Sequence, residues 1–434
     1  MLKSIAISFF NMRNQIEFLY SKFLQSHGVS TDSRTIQPEN LFFGLNGPNF
    51  KGSDYALVAL KKGATFAVVD DVDFPKHPQI IVVADTLKAL QDLASFHRSR
   101  FKRKVLALTG SNGKTTTKEL LKSVLTKKYI VHATEGNYNN HIGVPLTLLD
   151  IHPQVEVAII EMGANKQGDI RQLCEIAMPT HGLITNIGQA HTETFGGIEG
   201  VLKGKTELFK YLSKKGGTIF WNDQDLYLAK MASRFSHEKH YPDPDITTKG
   251  NIPYLDFNID NKNYESRLTG RYNFINVAAA IHIGRYFEVP DDSIGEAIIG
   301  YVPQNHRSQI IEKPGKKIIM DAYNANPDSM RAAIENLALY SGKKAAILGD
   351  MNELENPEAS HKEIVQLLLH SKIDHAVLIG KYFGQVKNTT SHYDFFENKD
   401  EALRVILKIY DHADVVLIKS SRSSKLESLL NQLE

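Results

Sequence analysis

The residues best suited to chemistry lie in one stretch, 106–117 (LALTGSNGKTTT). The apolar run 105–108 reads as a buried strand, Gly110 and Gly113 as a tight turn, and Lys114 with the threonines behind it as the opening of a helix. Backbone N–H groups of such a turn and helix start face an anion. Gly110, Ser111, Asn112, Gly113, Lys114, Thr115 and Thr116 are therefore candidates for holding phosphates, Lys114 supplying positive charge and Thr115 a hydroxyl for Mg²⁺. Only two residues separate Gly110 from Gly113, which departs from the general P-loop spacing. A glycine turn before an ordinary helix gives a similar string. Strand, turn, Gly-Lys-Thr and helix in one place favour the phosphate cradle.

Other reactive groups gather at predicted strand ends. Glu161 closes the apolar run 155–161, where ligands of a parallel α/β sheet collect, and is a metal-ligand candidate beside a phosphate loop. His191 follows the strand 182–188 in TNIGQAHTETFGG, a loop whose glycines suit close approach to a ligand; a lone histidine is more often structural. Lys203 and Lys205 lie among apolar residues of a predicted helix from about residue 200, and two solvated helix lysines would look the same. Two asparagine-rich stretches, GNYNNHIGVP (136–145) and DAYNANP (321–327), offer Asn137, Asn140, Asn324 and Asn326 for recognition of amide, carboxylate or sugar groups. Turn chemistry explains each stretch separately.

The elements that must position these groups read as α/β throughout. Residues 1–100 form a smaller N-terminal α/β unit, with strands at 41–45, 64–70 and 79–85 and helices at 53–62 and 87–100. The basic run 98–104 (RSRFKRK) reads as a solvated linker and first boundary. Residues 101–303 alternate strand and helix, which argues for a central P-loop domain built on a parallel sheet. The polar segment 238–265 is expected to hold short antiparallel strands or loops, and a helix is expected at 274–286. Residues 304–434 restart the alternation as a Rossmann-like unit, with strands at 316–323, 344–350, 375–380 and 413–419. That unit lacks the glycine fingerprint of a dinucleotide site.

The bulk numbers fit. The chain has 434 residues, 42% hydrophobic and 23% charged, with a net charge of +2. This describes two to four soluble globular domains and argues against a broad nucleic-acid surface. The single cysteine, Cys174, leaves no intrachain disulfide, fits a reducing cytosol and reads as a packed thiol. No apolar run is long enough to span a bilayer, and the N-terminal patch is too short for a signal peptide. A cytoplasmic chain is expected. Met12 raises the possibility that residues 1–11 are an extension of the native start.

Together these motifs resemble the Mur ligases, ATP-dependent amide-forming enzymes of bacterial cell-wall synthesis. TGSNGKTTT, EMG (161–163), NIGQAH (186–191), GKTELF (204–209), RYNFINVAAA (271–280), NHRSQ (305–309), DAYNANP and SSRSSKLE (420–427) follow in the family's order. TDSRTIQPENLFFGLNGPNFKGSDY (31–55) is similar to its nucleotide-substrate domain. GNYNNHIGVP and DAYNANP resemble the members that add D-alanyl-D-alanine to UDP-N-acetylmuramoyl-tripeptide. DAYNANP argues against a sister ligase that adds glutamate to folate or the third cell-wall residue. The intact reactive set argues against a scaffold that has lost catalysis.

The resemblance implies a three-domain fold holding UDP-substrate, ATP and the incoming amino component in turn, and a monomer is the default. It implies ATP contacts from the phosphate loop, Asn273, Asn276, Arg307 and Asp321, and a uridine end near Ser33 and Arg34. It implies Mg²⁺ on Thr115, Glu161, His191 and a carbamate formed from CO₂ on Lys205, with Lys203 the competing position. Lys114, His191 and Lys205 are the catalytic candidates. Three departures stand out. Tyr272 replaces a common histidine, Ser420 replaces a common glycine ahead of Arg422, and TEL replaces the usual GEI after Lys205.

Overall fold

The computed structural model describes residues 14–236, 238–304 and 306–433. The question of an extended start at residues 1–11 lies outside them. Three main sheets follow one another along the chain. The first has four short parallel strands, β1 Val29–Ser30, β2 Leu41–Phe43, β3 Phe66–Val69 and β4 Ile80–Val82, in the order β1-β2-β3-β4. β2, β3 and β4 fall within the apolar runs read from the sequence, β1 was not read there, and β2 is fully buried.

The second sheet contains β5 Lys104–Thr109, β6 Val131–Ala133, β7 Val157–Glu161, β8 His181–Ile184, β9 Thr218–Asn222 and β10 Glu238–Tyr241, all parallel, in the order β10-β9-β8-β5-β7-β6. Strands covered by helices on both faces have no solvent side, so they read as continuous apolar runs rather than alternating ones. After β5 the chain builds outward through β6 and β7, then crosses to β8 on the other side. The crevice beyond the carboxyl ends of β5 and β8 is therefore the switch point where ligands bind in open α/β sheets. The antiparallel hairpin β11 Asp256–Ile259 and β12 Lys262–Glu265 stands apart.

The third sheet contains β13 Gln309–Lys313, β14 Lys316–Asp321, β15 Lys344–Gly349, β16 His375–Ile379, β17 Asp394–Phe396 and β18 Val415–Lys419, in the order β13-β14-β18-β15-β16-β17. Only β13 runs antiparallel. The helices Pro327–Ala338, Pro357–His370 and Lys399–His412 connect its strands.

Two expectations need correction. The segment 238–265 is not all antiparallel or loop, because β10 pairs in parallel with β9 and extends the central sheet. The basic run 98–104 is not simply solvated either. Arg98 is buried at the end of the helix Thr86–Arg100 and donates to the carbonyls of Ala177 (2.7 Å), Met178 (2.6 Å) and Phe101. These oxygens lie at helix ends that lack helical partners, so the guanidinium fork acts as their cap. The same helix buries Leu90, Leu93 and Ala94 in one apolar cluster with Val144, Leu148, Ile170 and Cys174 of the central domain. Cys174 is a packed thiol, fully buried, and its burial raises its pKa.

Candidate active site

The turn after β5 is clamped from both sides. A Cβ on Gly110 would sit 1.9 Å from Thr185 Oγ1, and one on Gly113, at φ +77°, would sit 2.5 Å from Asn276 Oδ1. Side chains are therefore excluded at both positions. The segment after β8 straps the turn in place. Asn186 accepts from Ser111 N through its carbonyl (3.0 Å) and from Asn112 N through Oδ1 (2.9 Å). Ser111 Oγ donates to Gly188 O (2.9 Å) and accepts from Gly188 N (2.8 Å). Thr185 Oγ1 donates to Asn112 O at 2.6 Å. The helix Lys114–Leu125 begins at Gly113 with no side-chain cap, which leaves its first N–H groups free for an anion. Lys114 Nζ curls back onto Gly110 O (2.7 Å) and Ser111 O (3.2 Å). Burial lowers its pKa, Glu161 opposes that, and Arg307 adds to it.

Glu161, the last residue of β7, is buried beside this turn. Its Oε2 accepts from Thr115 Oγ1 at 2.9 Å and its Oε1 from Asn139 Nδ2 at 2.8 Å. Lys205 is 1% exposed, at the end of the helix Ile198–Lys205, while Lys203 is exposed. Among the described residues Lys205 Nζ has no hydrogen bond, and its contact is the Phe195 ring at 5.6 Å. Burial, with Lys114 nearby, pushes its pKa well below the usual lysine value. His191 Nδ1 lies 2.5 Å from Glu353 Oε2, a residue of the third sheet's domain. Both residues hold left-handed backbones, at φ 60° each, which is uncommon for residues with a Cβ. Among the described residues no three His, Cys, Asp or Glu side chains cluster as a ready-made metal site. A hydroxyl, a buried carboxylate and an imidazole at the cleft are oxygen and nitrogen donors that suit a metal completed by ligand phosphates.

The opposite wall comes from the carboxyl ends of β14 and β18 and the start of the helix Pro327–Ala338. Together the walls enclose a cleft of about 650 Å³, lined among others by Lys114, Thr115, Glu161, His191, Asn273, Asn276, Arg307, Asp321, Tyr323 and Lys419. Asn276 accepts from Thr117 Oγ1 (3.1 Å) and donates to Asn273 Oδ1 (2.9 Å), while Asn273 donates to Thr269 O (2.7 Å). Asp321 accepts from Ser308 N (3.1 Å) and holds Lys419 Nζ (2.5 Å). Tyr272, in the place of a common histidine, lines the cleft and reaches Ser308 Oγ at 2.8 Å. The Arg307 guanidinium lies 3.5 Å from the Tyr323 ring centroid. The walls touch directly where Asn326 Nδ2 donates to Asn112 Oδ1 (2.7 Å) and Gln189 N to Asp328 Oδ2 (2.7 Å).

The cleft thus collects Ser111, Asn112, Gly113, Lys114, Thr115, Thr116, Glu161, His191, Asn273, Asn276, Arg307 and Asp321, together with Asn137, Asn140 and Asn324. Gly110 shapes the turn from beneath. Two asparagines have structural work as well. Asn140 Oδ1 accepts from Ile142 N and Gly143 N, and Asn326 caps the helix Pro327–Ala338 in a reciprocal box with Ser329. Ser33 and Arg34 lie apart, in the first domain, where Arg34 is exposed and paired with Asp32 at 2.7 Å. That ion pair lowers the Asp32 pKa to about 2. Sequence reasoning missed Asn139, Lys419 and Glu353. Asn139 stood inside a recognised stretch and Lys419 at a strand end, but nothing local marked Glu353.

Comparison with known proteins matches three consecutive family models: Mur ligase family, catalytic domain (residues 25–98), Mur ligase middle domain (108–284) and Mur ligase, glutamate ligase domain (306–422). The chain is 35% identical over 430 residues to the UDP-N-acetylmuramoyl-tripeptide–D-alanyl-D-alanine ligase of Bacillus subtilis, covering 94% of this chain and 93% of the relative. It is 31% identical to the protein of that name in Escherichia coli, covering 94% and 93%. Among solved structures, MurF from Acinetobacter baumannii superposes with a TM-score of 0.84 at 29% identity, covering 93% and 92%. MurF ligase from Thermotoga maritima in complex with ADP gives 0.83 at 27%, covering 95% and 97%. Family models across all three domains and relatives above 30% identity over nearly the whole chain place it: the chain belongs to the Mur ligase family.

Proposed function

We propose that this chain joins D-alanyl-D-alanine to the terminal carboxylate of UDP-N-acetylmuramoyl-tripeptide, cleaving ATP to ADP and phosphate, as a cytoplasmic monomer. The observation that carries this reading is one cleft with a phosphate turn and buried carboxylate on one wall and the DAYNANP loop on the other. Relatives bearing that activity in their names match over nearly the full length.

A carboxylate is a poor acyl donor. In the proposed course the tripeptide carboxylate attacks the γ-phosphate of ATP and ADP leaves. The amine of the dipeptide then attacks the acyl phosphate, and phosphate leaves from the tetrahedral intermediate. Two anions meet in the first step and repel by roughly 4 kcal/mol at about 4 Å and an effective dielectric of 20. Lys114, the free N–H groups of its helix and Arg307 offset this and hold the transferring phosphoryl group. Asn273 and Asn276 face adenine, Asp321 the ribose or phosphate region. Ser33 and Arg34 serve the uridine end, and Asn137, Asn140, Asn324 and Asn326 the peptide parts.

Thr115, Glu161 and His191 are the residues that would hold Mg²⁺, which supplies positive charge to phosphate oxygens. Burial lowers the Lys205 pKa and so favours the neutral amine, the form that adds CO₂. Its carbamate would be a third oxygen ligand there. The contacts between walls at Asn112–Asn326 and Gln189–Asp328 hold the two walls together, the arrangement needed to shield an acyl phosphate from water. We assign the three roles to residues 1–100, 101–303 and 304–434.

Phosphate release is the test. It should require ATP, UDP-N-acetylmuramoyl-tripeptide and D-alanyl-D-alanine together. Release with glutamate or diaminopimelate in place of the dipeptide would indicate a sister ligase, and no substrate-dependent release would indicate a scaffold.

A further inference from the structure

Beside the cleft's second wall stands a cation that the proposed reaction leaves without a task. Arg422 opens the turn Arg422–Ser424 just after β18 and is exposed. Its guanidinium carbon lies 5.5 Å from the centroid of Tyr323, the cleft-lining ring that Arg307 also covers. Among the described residues neither guanidinium has a hydrogen bond or an ion pair. The turn bearing Arg422 is nevertheless fixed. Asn352 N donates to Ser421 Oγ (3.1 Å), Asn352 Nδ2 to Ser423 Oγ (2.7 Å), and Ser421 N to Asp350 O (3.2 Å). Ser420, which replaces a glycine common in the family, leaves the backbone ordinary, because Gly349 opposite it has no side chain.

Two like charges sharing one ring repel each other, and each gains when an anion binds it. Phosphate oxygens answer Arg307 in the proposed reaction. The other anion brought to this wall is the free carboxylate of the incoming dipeptide. A guanidinium offers parallel N–H donors that match a carboxylate, and stacking on Tyr323 holds its plane. We propose that Arg422 binds the C-terminal carboxylate of the incoming dipeptide, so that the amine end points inward to the phosphate turn. The inference rests on the function proposed above and assigns the residue that selects a free acid.

Steady-state phosphate release with D-alanyl-D-alanine and with its C-terminal amide tests it. The unaltered protein should have a KM for the acid about 10- to 100-fold below that for the amide. Arg422→Gln should raise the acid's KM by about that factor and leave the amide's within about twofold, with kcat and the KM values for ATP and UDP-tripeptide unchanged. Arg422→Lys should recover part of the preference. Equal use of acid and amide by the unaltered protein, or an unchanged ratio in Arg422→Gln, overturns the proposal. So does a rise in the KM for ATP or UDP-tripeptide instead. If the unaltered protein releases no phosphate with the dipeptide, the functional reading itself fails, which is a separate result.

Discussion

The two walls of the cleft share a plan and differ in how their polar groups are occupied. Each is the carboxyl edge of a largely parallel sheet. On the central wall the groups answer one another: Lys114 on loop carbonyls, Glu161 on Thr115 and Asn139, Asn276 on Thr117 and Asn273. On the C-terminal wall Asp321 and Lys419 pair, but among the described residues Arg307 and Arg422 touch only an aromatic ring. A wall whose groups are mutually bonded keeps its geometry without ligand and is preorganised for charge that develops on it. A wall with free cations is completed by the anions that arrive. Losses on the first should therefore fall on turnover, and losses on the second on substrate affinity.

The largest break of that contrast is Lys114→Ala. It should lower kcat by about 10³-fold or more while leaving dipeptide affinity intact, measured by phosphate release and by titration of the dipeptide. Retained turnover would remove the central wall's role. Next, Lys205→Ala should cost about 10²- to 10³-fold in kcat and recover partly with added short carboxylates. If no recovery follows and Lys203→Ala is the inactive variant, the carbamate moves to Lys203. Arg307→Ala should raise the KM for ATP about 10-fold with a smaller effect on kcat, as expected for a charge-assisted contact. The smallest effect is set for Gly349→Ala. Its methyl would meet Ser420 Cβ at 2.7 Å and displace the turn that carries Arg422. It should destabilise by about 1–3 kcal/mol in denaturant melts and raise the dipeptide KM while sparing that for ATP.

Much of this was legible in the residues. Buried strands are unbroken apolar runs, so β5, β7, β14, β15, β16 and β18 emerge from the string, and the helix 274–286 emerges as a long apolar stretch. The phosphate turn was legible because glycine is forced twice, by Thr185 and by Asn276. What stayed hidden depends on partners far along the chain. Which asparagine of NYNN meets Glu161 is decided by the turn that spends Asn140 on capping and aims Asn139 inward. Glu353 gains meaning only because the third domain places it against His191, and Lys419 because β14 brings Asp321 beside it. Three-residue strands such as β6 and β17 are too short to show a period. The polar residues of β10, Glu238 with the exposed Lys239 and His240, hid its place in a parallel sheet.

Arg98 also decides where this chain can be cut. Its three carbonyl bonds and the apolar face of its helix make the N-terminal sheet and the central sheet one unit of stability, although they read as separate domains. A cut after residue 100 would leave that face bare in the first piece and take the cap from the helix Asp169–Ala177 in the second. A fragment ending at residue 303 would leave it whole. Expression of the two fragments, followed by circular dichroism melts, should give a folded protein from the longer and an aggregate from the shorter. Fusions, split reporters and inserted tags belong at the second junction, not the first.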